Sequence, residues 1–375
     1  LESVTWDWSS LFLYTFLILS TSFLVAKSQQ VAAYTDVLGN YKVKVKVSKF
    51  LIIISIIIPI GIGGSRYAVA SDYFSYISMY NEIASMGLLK SLEIGRSEPA
   101  FVLLLSLIHT IFNNPQVIFF ISSLVAVGFV YSAVLFNKEH VKMGIAIFIF
   151  LISYYFWTWT AVRMSIAVGI VFYSYKYLID KNVIKYIVTV LFAALFHYTA
   201  VIVLPLYFYI NGPKKNKKVK NLLFYSILLI SIVFFGVYYN AIFAETKYGA
   251  YQESIGNIFG GINQIIIRIP IALVLFFYYK KLVKHNLKNF TYIKIYLVGF
   301  ILNTLTLWNG IFGRLVNYFF IVEILLIASI FTLKAHRERG LVIYLILTYY
   351  FILFVYTLIS NDRLMPYTNY WGINI

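Results

Sequence analysis

Cysteine is missing from all 375 residues, which excludes a disulfide framework, a thiol nucleophile and any cysteine-ligated metal. Acidic residues are scarce: 14 Asp and Glu stand against 31 Lys and Arg. No DxD, HExxH or Walker-type motif occurs, so metal-bound nucleotide-sugar chemistry and ATP hydrolysis have no visible apparatus. No internal repeat or low-complexity linker divides the chain and no polar stretch is long enough to stand apart, so residues 1–375 read as a single domain. The first apolar run has neither a basic start nor a small-residue cleavage site, and is not expected to be a cleaved signal peptide.

What is abundant is apolar surface. The chain is 61% hydrophobic and 12% charged, with mean hydropathy +0.82, more apolar surface than a polar shell could cover. Runs such as LFLYTFLILSTSFLVA (11–26), FLIIISIIIPIGIG (50–63) and LVIYLILTYYFILFVYTLI (341–359) approach the ~20 residues a helix needs to cross ~30 Å of hydrocarbon. Lipid offers no partner to an open backbone group, so the spans must be helical. The expected class is an all-α polytopic integral membrane protein.

The net charge of +17 could suggest nucleic acid, but the lysines sit between apolar runs and form no patch within a soluble domain, which is a positive-inside signal. Threading on that rule puts loops 27–49, 137–142, 176–185, 214–220, 280–294 and 334–339 in the cytoplasm, with most of the 31 basic residues. Arg66, Lys90, Arg96, Arg163, Lys247, Arg268, Arg314 and Arg363 are left outside. Twelve crossings result, with two larger external loops, 65–98 and 244–264. Residues 186–210 must cross twice as two short helices turning near His197, because lysines flank them on the inside. Residues 99–112 must begin and end outside, as a re-entrant or surface-lying helix.

Six of the eight outer basic residues are arginine, whereas the inner ones are almost all lysine. Arginine suits bidentate binding of phosphate or carboxylate, so the asymmetry points to an outer anion site. Arg163, Arg268 and Arg314 each fall at the external start of a crossing, where the helix dipole disfavours a cation and an anion would reverse the sign. Membrane-edge snorkelling, or pairing with Glu323 or Glu98, is the alternative. Glu323 is an intramembrane charge whose expected partner is Arg268. Ser71 is the expected N-cap of an external helix that Gly87 stops, with Asp72 in its first turn and Tyr73, Tyr76 and Tyr80 on one face. Such a face could stack on sugar rings or form an interfacial belt. His140, His285 and His336 sit among inner lysines and His109 in the half-inserted segment. His197, at the apex of the short hairpin, faces outward, where an imidazole could bond a hydroxyl or phosphate.

Five short motifs in one order give the chain a resemblance to the EpsG-like branch of the Wzy polysaccharide polymerases. They are R-x5-D-x3-Y-x3-Y at Arg66, Asp72, Tyr76 and Tyr80, then Glu98-Pro99-Ala100-Phe101, Arg163-Met164-Ser165-Ile166-Ala167, Phe196-His197-Tyr198-Thr199-Ala200 and Gly313-Arg314-Leu315. Tyr198-Thr199 departs from the small or basic residue followed by serine expected there.

The resemblance implies a GT-C-like arrangement of short and re-entrant helices around an extracytoplasmic site, in the bacterial cytoplasmic membrane. It implies a glycosyltransferase that moves a growing glycan from its polyprenyl diphosphate carrier onto a hydroxyl of a fresh lipid-linked repeat unit, building capsule, exopolysaccharide or O-antigen. Expected partners are polyprenyl-diphosphate-linked oligosaccharide, membrane lipid, a chain-length regulator and a flippase; no nucleic acid, metal or soluble cofactor is expected. Arg163 and Arg314 are expected on the diphosphate, with Arg66, Arg268 and Arg363 as further candidates. Asp72 or His197 receives the acceptor proton, Glu98 orients or substitutes, and Tyr73, Tyr76 and Tyr80 line the glycan path. A flippase or transporter of the same glycans and a glycan ligase are the competing readings; a transporter would carry its charges at mid-membrane.

Overall fold

A computed structural model of the chain describes residues 7–35, 41–212, 258–307, 310, 312–333, 339–360 and 363–372, with 224, 226 and 230 besides. The described apolar runs are helical, and α1 and α2 begin at ordinary start signals. Asp7 caps α1 (Trp8–Ser28) by accepting from Ser10 N at 2.9 Å, and Ser48 caps α2 (Lys49–Ser65). Along α1, Trp8, Phe12, Phe16, Leu19 and Phe23 are exposed on one stripe while Tyr14, Leu17, Ile18 and Val25 are buried, as lipid on one side and protein on the other require.

Helices α3 (Tyr73–Met86), α4 (Leu88–Ile94) and α5 (Pro99–Phe112) follow, then α6 (Val117–Phe136). Helix α7 (Met143–Phe150) passes through a π-helical turn (Leu151–Tyr155) into α8 (Phe156–Thr160), and α9 (Val162–Ile179) forms the middle of the core. Helix α10 (Val183–Ala194), a 3-10 turn (Tyr198–Val203) and α11 (Pro205–Asn211) come next. Helices α12 (Ile258–His285) and α13 (Lys288–Leu302) lead to short pieces α14 (Phe312–Leu315), α15 (Asn317–Phe320) and α16 (Glu323–Ile330), and α17 (Arg339–Ser360) closes the bundle.

Among the described residues seven helices are long and apolar enough to cross a membrane, or eight if the bent pair Phe312–Phe320 and Glu323–Ile330 is one span. The chain is therefore a multi-pass helical membrane protein. The expected count of twelve is not reached. Lys49–Ser65, Val183–Ala194 and Tyr198–Asn211 fall short of a full span, and the eighth expected crossing, near 221–243, lies almost wholly outside the described residues, as do loop 214–220 and Lys247.

The short-helix hairpin is present. Tyr186 hydroxyl donates to Val203 O at 2.7 Å, and Tyr207 hydroxyl and Asn211 amide return to Lys181 O and Leu178 O, each at 2.7 Å. Twelve residues of α10 rise only ~18 Å, so its far end stops within a ~30 Å bilayer core.

Helix α5 also begins and ends at one end of the bundle. Ala100 N donates to Leu195 O beside the hairpin apex, and just past its other end Gln116 Nε2 donates to Gly64 O and Arg66 O. At the opposite end, loops 27–49, 137–142, 280–294 and 334–339 meet around a shared cavity, consistent with their placement on one side.

Loop 27–49 departs from the all-α expectation, because β1 (Gln29–Thr35) and β2 (Tyr41–Val47) pair as an antiparallel hairpin, in register from Gln29 opposite Val47 to Thr35 opposite Tyr41. The strict alternation YKVKVKV is a strand period; read only as a run of lysines, it conceals that.

Candidate functional site

The chain turns of α5, α9 and the hairpin apex place three side chains together. Pro99 at the first position of α5 needs no amide partner, and Glu98 before it is extended and does not cap the helix with its carboxylate. His197 is extended too, between α10 and the 3-10 turn, and Arg163 is the second residue of α9.

Glu98 is 1% exposed and its carboxylate is shared. Oε2 accepts from Arg163 Nη1 at 2.5 Å and from Ser97 Oγ at 3.0 Å, while Oε1 lies 3.0 Å from His197 Nδ1. Arg163 Nη1 also reaches Ser97 Oγ at 2.9 Å. Burial alone would raise the Glu98 pKa, but the His197 hydrogen bond and the Arg163 charge outweigh it and draw it down to about 2, so the group is a carboxylate. A carboxylate only accepts, so Nδ1 carries the imidazole proton and Nε2 presents its lone pair away from Glu98. The carboxylate also offsets the dipole penalty of a cation in the first turn of α9.

Tyr76, buried on α3, stands beside Arg163; burial raises its phenol pKa although Arg163 pulls the other way, so the hydroxyl is a neutral donor. The partly exposed faces of Arg163 and His197, 25% and 18%, are what a ligand could touch.

A cleft of about 310 Å³ opens next to this cluster, lined by Trp157, Thr160, Ala161, Gln264, Arg314 and Asn317 among others. Ala161 is the residue before α9, and Asn317 precedes Tyr318, whose hydroxyl lies 3.1 Å from Thr199 Oγ1 just past His197. Helix α9, α15 and the 3-10 turn pack on one another and so connect the cleft to the Glu98 cluster.

The other expected site residues lie apart. Arg66 is 1% exposed, donating Nη1 to Gly63 O and Nη2 to Trp159 O at 3.2 Å, and it stacks on Phe119 at 4.3 Å; it ties α2 to α8 and faces no open space. Arg268 is paired with Glu323, Nη1 lying 3.1 Å from each carboxylate oxygen, and covers the Phe320 ring at 4.5 Å. Arg363 is exposed, in the left-handed region at φ 71, and its carbonyl accepts from Ala70 N.

Asp72, not Ser71, is the N-cap position of α3; its carboxylate lies 3.3 Å from Ser71 Oγ and is not among the groups that meet Glu98. The tyrosine face is turned inward: Tyr73, Tyr76 and Tyr80 are buried against α5 and α6, with Tyr73 bonded to Gln116 at 2.7 Å and stacked on Phe119, and Tyr80 bonded to His109 at 3.2 Å. The i, i+3, i+7 spacing identifies a face, and sequence alone does not say which way it points.

The exposed aromatics at this end include Tyr67, Phe74, Tyr198, Tyr370 and Trp371, with Tyr67 and Tyr370 rings 6.5 Å apart. Gln116, which holds Tyr73, Gly64 and Arg66 at once, ends the turn-like Asn113-Asn114-Pro115-Gln116 segment and carries no sequence signal of its own. Among the described residues no group of three or more His, Asp or Glu is arranged to hold a metal.

A model of the EpsG family matches residues 49–369 of the chain. No curated protein and no solved structure matches it.

Proposed function

The chain belongs to the EpsG family, and on that premise we propose that it is a membrane glycosyltransferase of the polymerase kind, joining polyprenyl-diphosphate-linked oligosaccharide repeat units on the outer face of a bacterial cytoplasmic membrane. The observation that carries the reading is the buried Glu98 carboxylate held between Arg163 and His197.

In this reading His197 Nε2 takes the proton of the acceptor hydroxyl as that oxygen forms its bond to the anomeric carbon of the donor glycan. The anomeric carbon releases the carrier diphosphate in the same step. Glu98, enclosed and engaged through both oxygens, does not reach the substrate; it fixes the tautomer of His197 and stabilises the imidazolium that forms. Arg163, and Arg314 in the neighbouring cleft, face the charge that builds on the leaving diphosphate, with Gln264 and Asn317 as neutral donors in the cleft. Asp72 is the alternative proton acceptor, and the geometry favours His197, because only His197 is positioned by a buried carboxylate. Arg268 and Arg66, already engaged with Glu323 and with main-chain carbonyls, serve the fold.

The recessed position of the hairpin apex suits a reaction at membrane depth, where a water-poor setting strengthens each electrostatic contact. Chain-length regulator and flippase proteins are the expected neighbours in the cell. Deleting the protein tests the reading against a flippase: single lipid-linked repeat units should accumulate on the outer surface, open to an impermeant glycosidase. Accumulation only inside would overturn it in favour of transport.

A further inference from the structure

The lysine-rich end of the bundle holds a second concave site, larger than the cleft beside Arg314. Its volume is about 460 Å³, and Lys138, Lys142, His285 and Arg339 line it with Glu139 as the acidic member. The positive-inside rule accounts for lysines in these loops, but it asks only that they be in water, where like charges spread apart. Here basic side chains from three separate loops line one space.

That space is built by specific contacts. The Gln29 side chain donates to Lys138 O at 2.6 Å and Val141 O at 2.8 Å and accepts from Met143 N at 2.9 Å, so the foot of the β-hairpin fixes the course of the Lys138 to Lys142 loop. Arg339 donates to Leu333 O at 2.5 Å and Phe331 O at 2.7 Å, while its Nε is buried with no partner. Thr332 Oγ1 lies 2.8 Å from His285 Nε2, and the His140 ring stands edge-on to His285 at 6.5 Å. Burial and then the Lys288 charge hold the His140 imidazole below its usual range, in keeping with an excess of positive charge there. Neither Lys138 nor Lys142 has a carboxylate partner among the described residues. Phe331, Val31 and Val45 add apolar walls.

We propose that this cavity, at the end the charge rule assigns to the cytoplasm, binds a phosphate ester carried on a small body, either a soluble phosphorylated compound or the headgroup of an anionic lipid. The Lys138 and Lys142 ammonium groups match phosphate oxygens, the carbonyl-bound Arg339 adds positive charge behind them, and the apolar walls match a ring or acyl stem. The site is connected to the opposite end. The bent segment from Phe312 to Ile330, with its 44° break, carries Arg314 and Asn317 into the outer cleft and runs directly into Phe331 and Thr332 here.

The test is direct binding to the purified full chain in nanodiscs of phosphatidylcholine, read as the thermal midpoint. Inorganic phosphate and adenosine monophosphate are the soluble probes, and nanodiscs that include phosphatidylglycerol supply the headgroup. A saturable rise with a soluble probe assigns the soluble source; a rise only with phosphatidylglycerol assigns the lipid. In either case Lys138→Glu with Lys142→Glu should weaken the response about tenfold or more, as loss of charge-assisted hydrogen bonds does. Lys142→Ala, at an exposed position, should weaken it in the same direction without disturbing the fold. No response to any probe, or an equal response in these variants, would overturn the proposal.

Discussion

Glu98 and His197, 99 residues apart in sequence, meet at 3.0 Å because α5 starts beside the hairpin apex, where Ala100 N donates to Leu195 O, and the α10 hairpin turns at that point. Two incomplete membrane segments leave polar side chains facing each other inside an apolar bundle, where each needs the other. A full-length helix at either place would carry its charged residue past the partner.

Replacing Glu98 by Gln keeps a hydrogen-bonding side chain and removes the charge that fixes the His197 tautomer. Polymer formation should fall by ~10²-fold or more while the protein still accumulates in the membrane. Polymer yield per unit of membrane protein measures this. An unchanged yield would show that His197 does not depend on Glu98.

The same carboxylate links stability to pH. Its folded pKa, about 2, lies below the ordinary 4.5, so its contribution is fully present above 4.5 and is lost as pH falls towards 2. In detergent, wild type should exceed Glu98→Gln in thermal midpoint at neutral pH, and the difference should narrow steadily once the pH drops below about 4.5. A difference that stays constant across that range would contradict the ion-pair assignment.

Arg314 and Arg268 both lie at expected helix starts, yet their surroundings differ, and so should their variants. Arg314→Ala should leave the thermal midpoint near wild type and lower polymer yield, since the residue is exposed in the cleft. Arg268→Ala leaves Glu323 buried without its cation, which should cost about 3 to 5 kcal/mol of stability. Arg268→Met with Glu323→Leu should recover most of that loss. Thermal midpoints of the three variants separate a substrate contact from a structural pair.

Gly64 permits the close packing of α2 against α6. A Cβ there would sit 2.2 Å from Phe120 Cδ1, so Gly64→Ala should destabilise by about 1 to 3 kcal/mol through overpacking. Its effect on yield should follow folded protein, not turnover, as quantitative membrane fractions would reveal.

Much of this arrangement is legible in the sequence, and for physical reasons. Lysines that flank Tyr186 to Ile210 on both sides force a turn near His197, and that turn exists; the outer position of Arg163 asks residues 99–112 to begin and end on one side, and they form one continuous helix with both ends tied at the same end of the bundle. The Arg268 to Glu323 pair follows from the cost of an unpaired charge in lipid. Arg66 shows the limit: whether a guanidinium faces a ligand or a carbonyl depends on where Gly63 and Trp159 end their helices, which tertiary packing decides. The β-hairpin was hidden because its lysines satisfy the charge rule while their alternation obeys a strand period. Of the twelve expected crossings, three are helices shorter than a full span and one lies almost wholly outside the described residues, because charge placement orders the crossings without fixing helix length.

The central claim is that one polypeptide elongates lipid-linked glycan through the Glu98 and His197 pair. Its most direct measurement is reconstitution of the purified chain in liposomes with lipid-linked repeat units, with products resolved by length. Wild type should give a ladder of regularly spaced lengths, and folded His197→Ala should give unreacted single units. Single units only from the wild type, or an undiminished ladder from the His197 variant, would contradict the account.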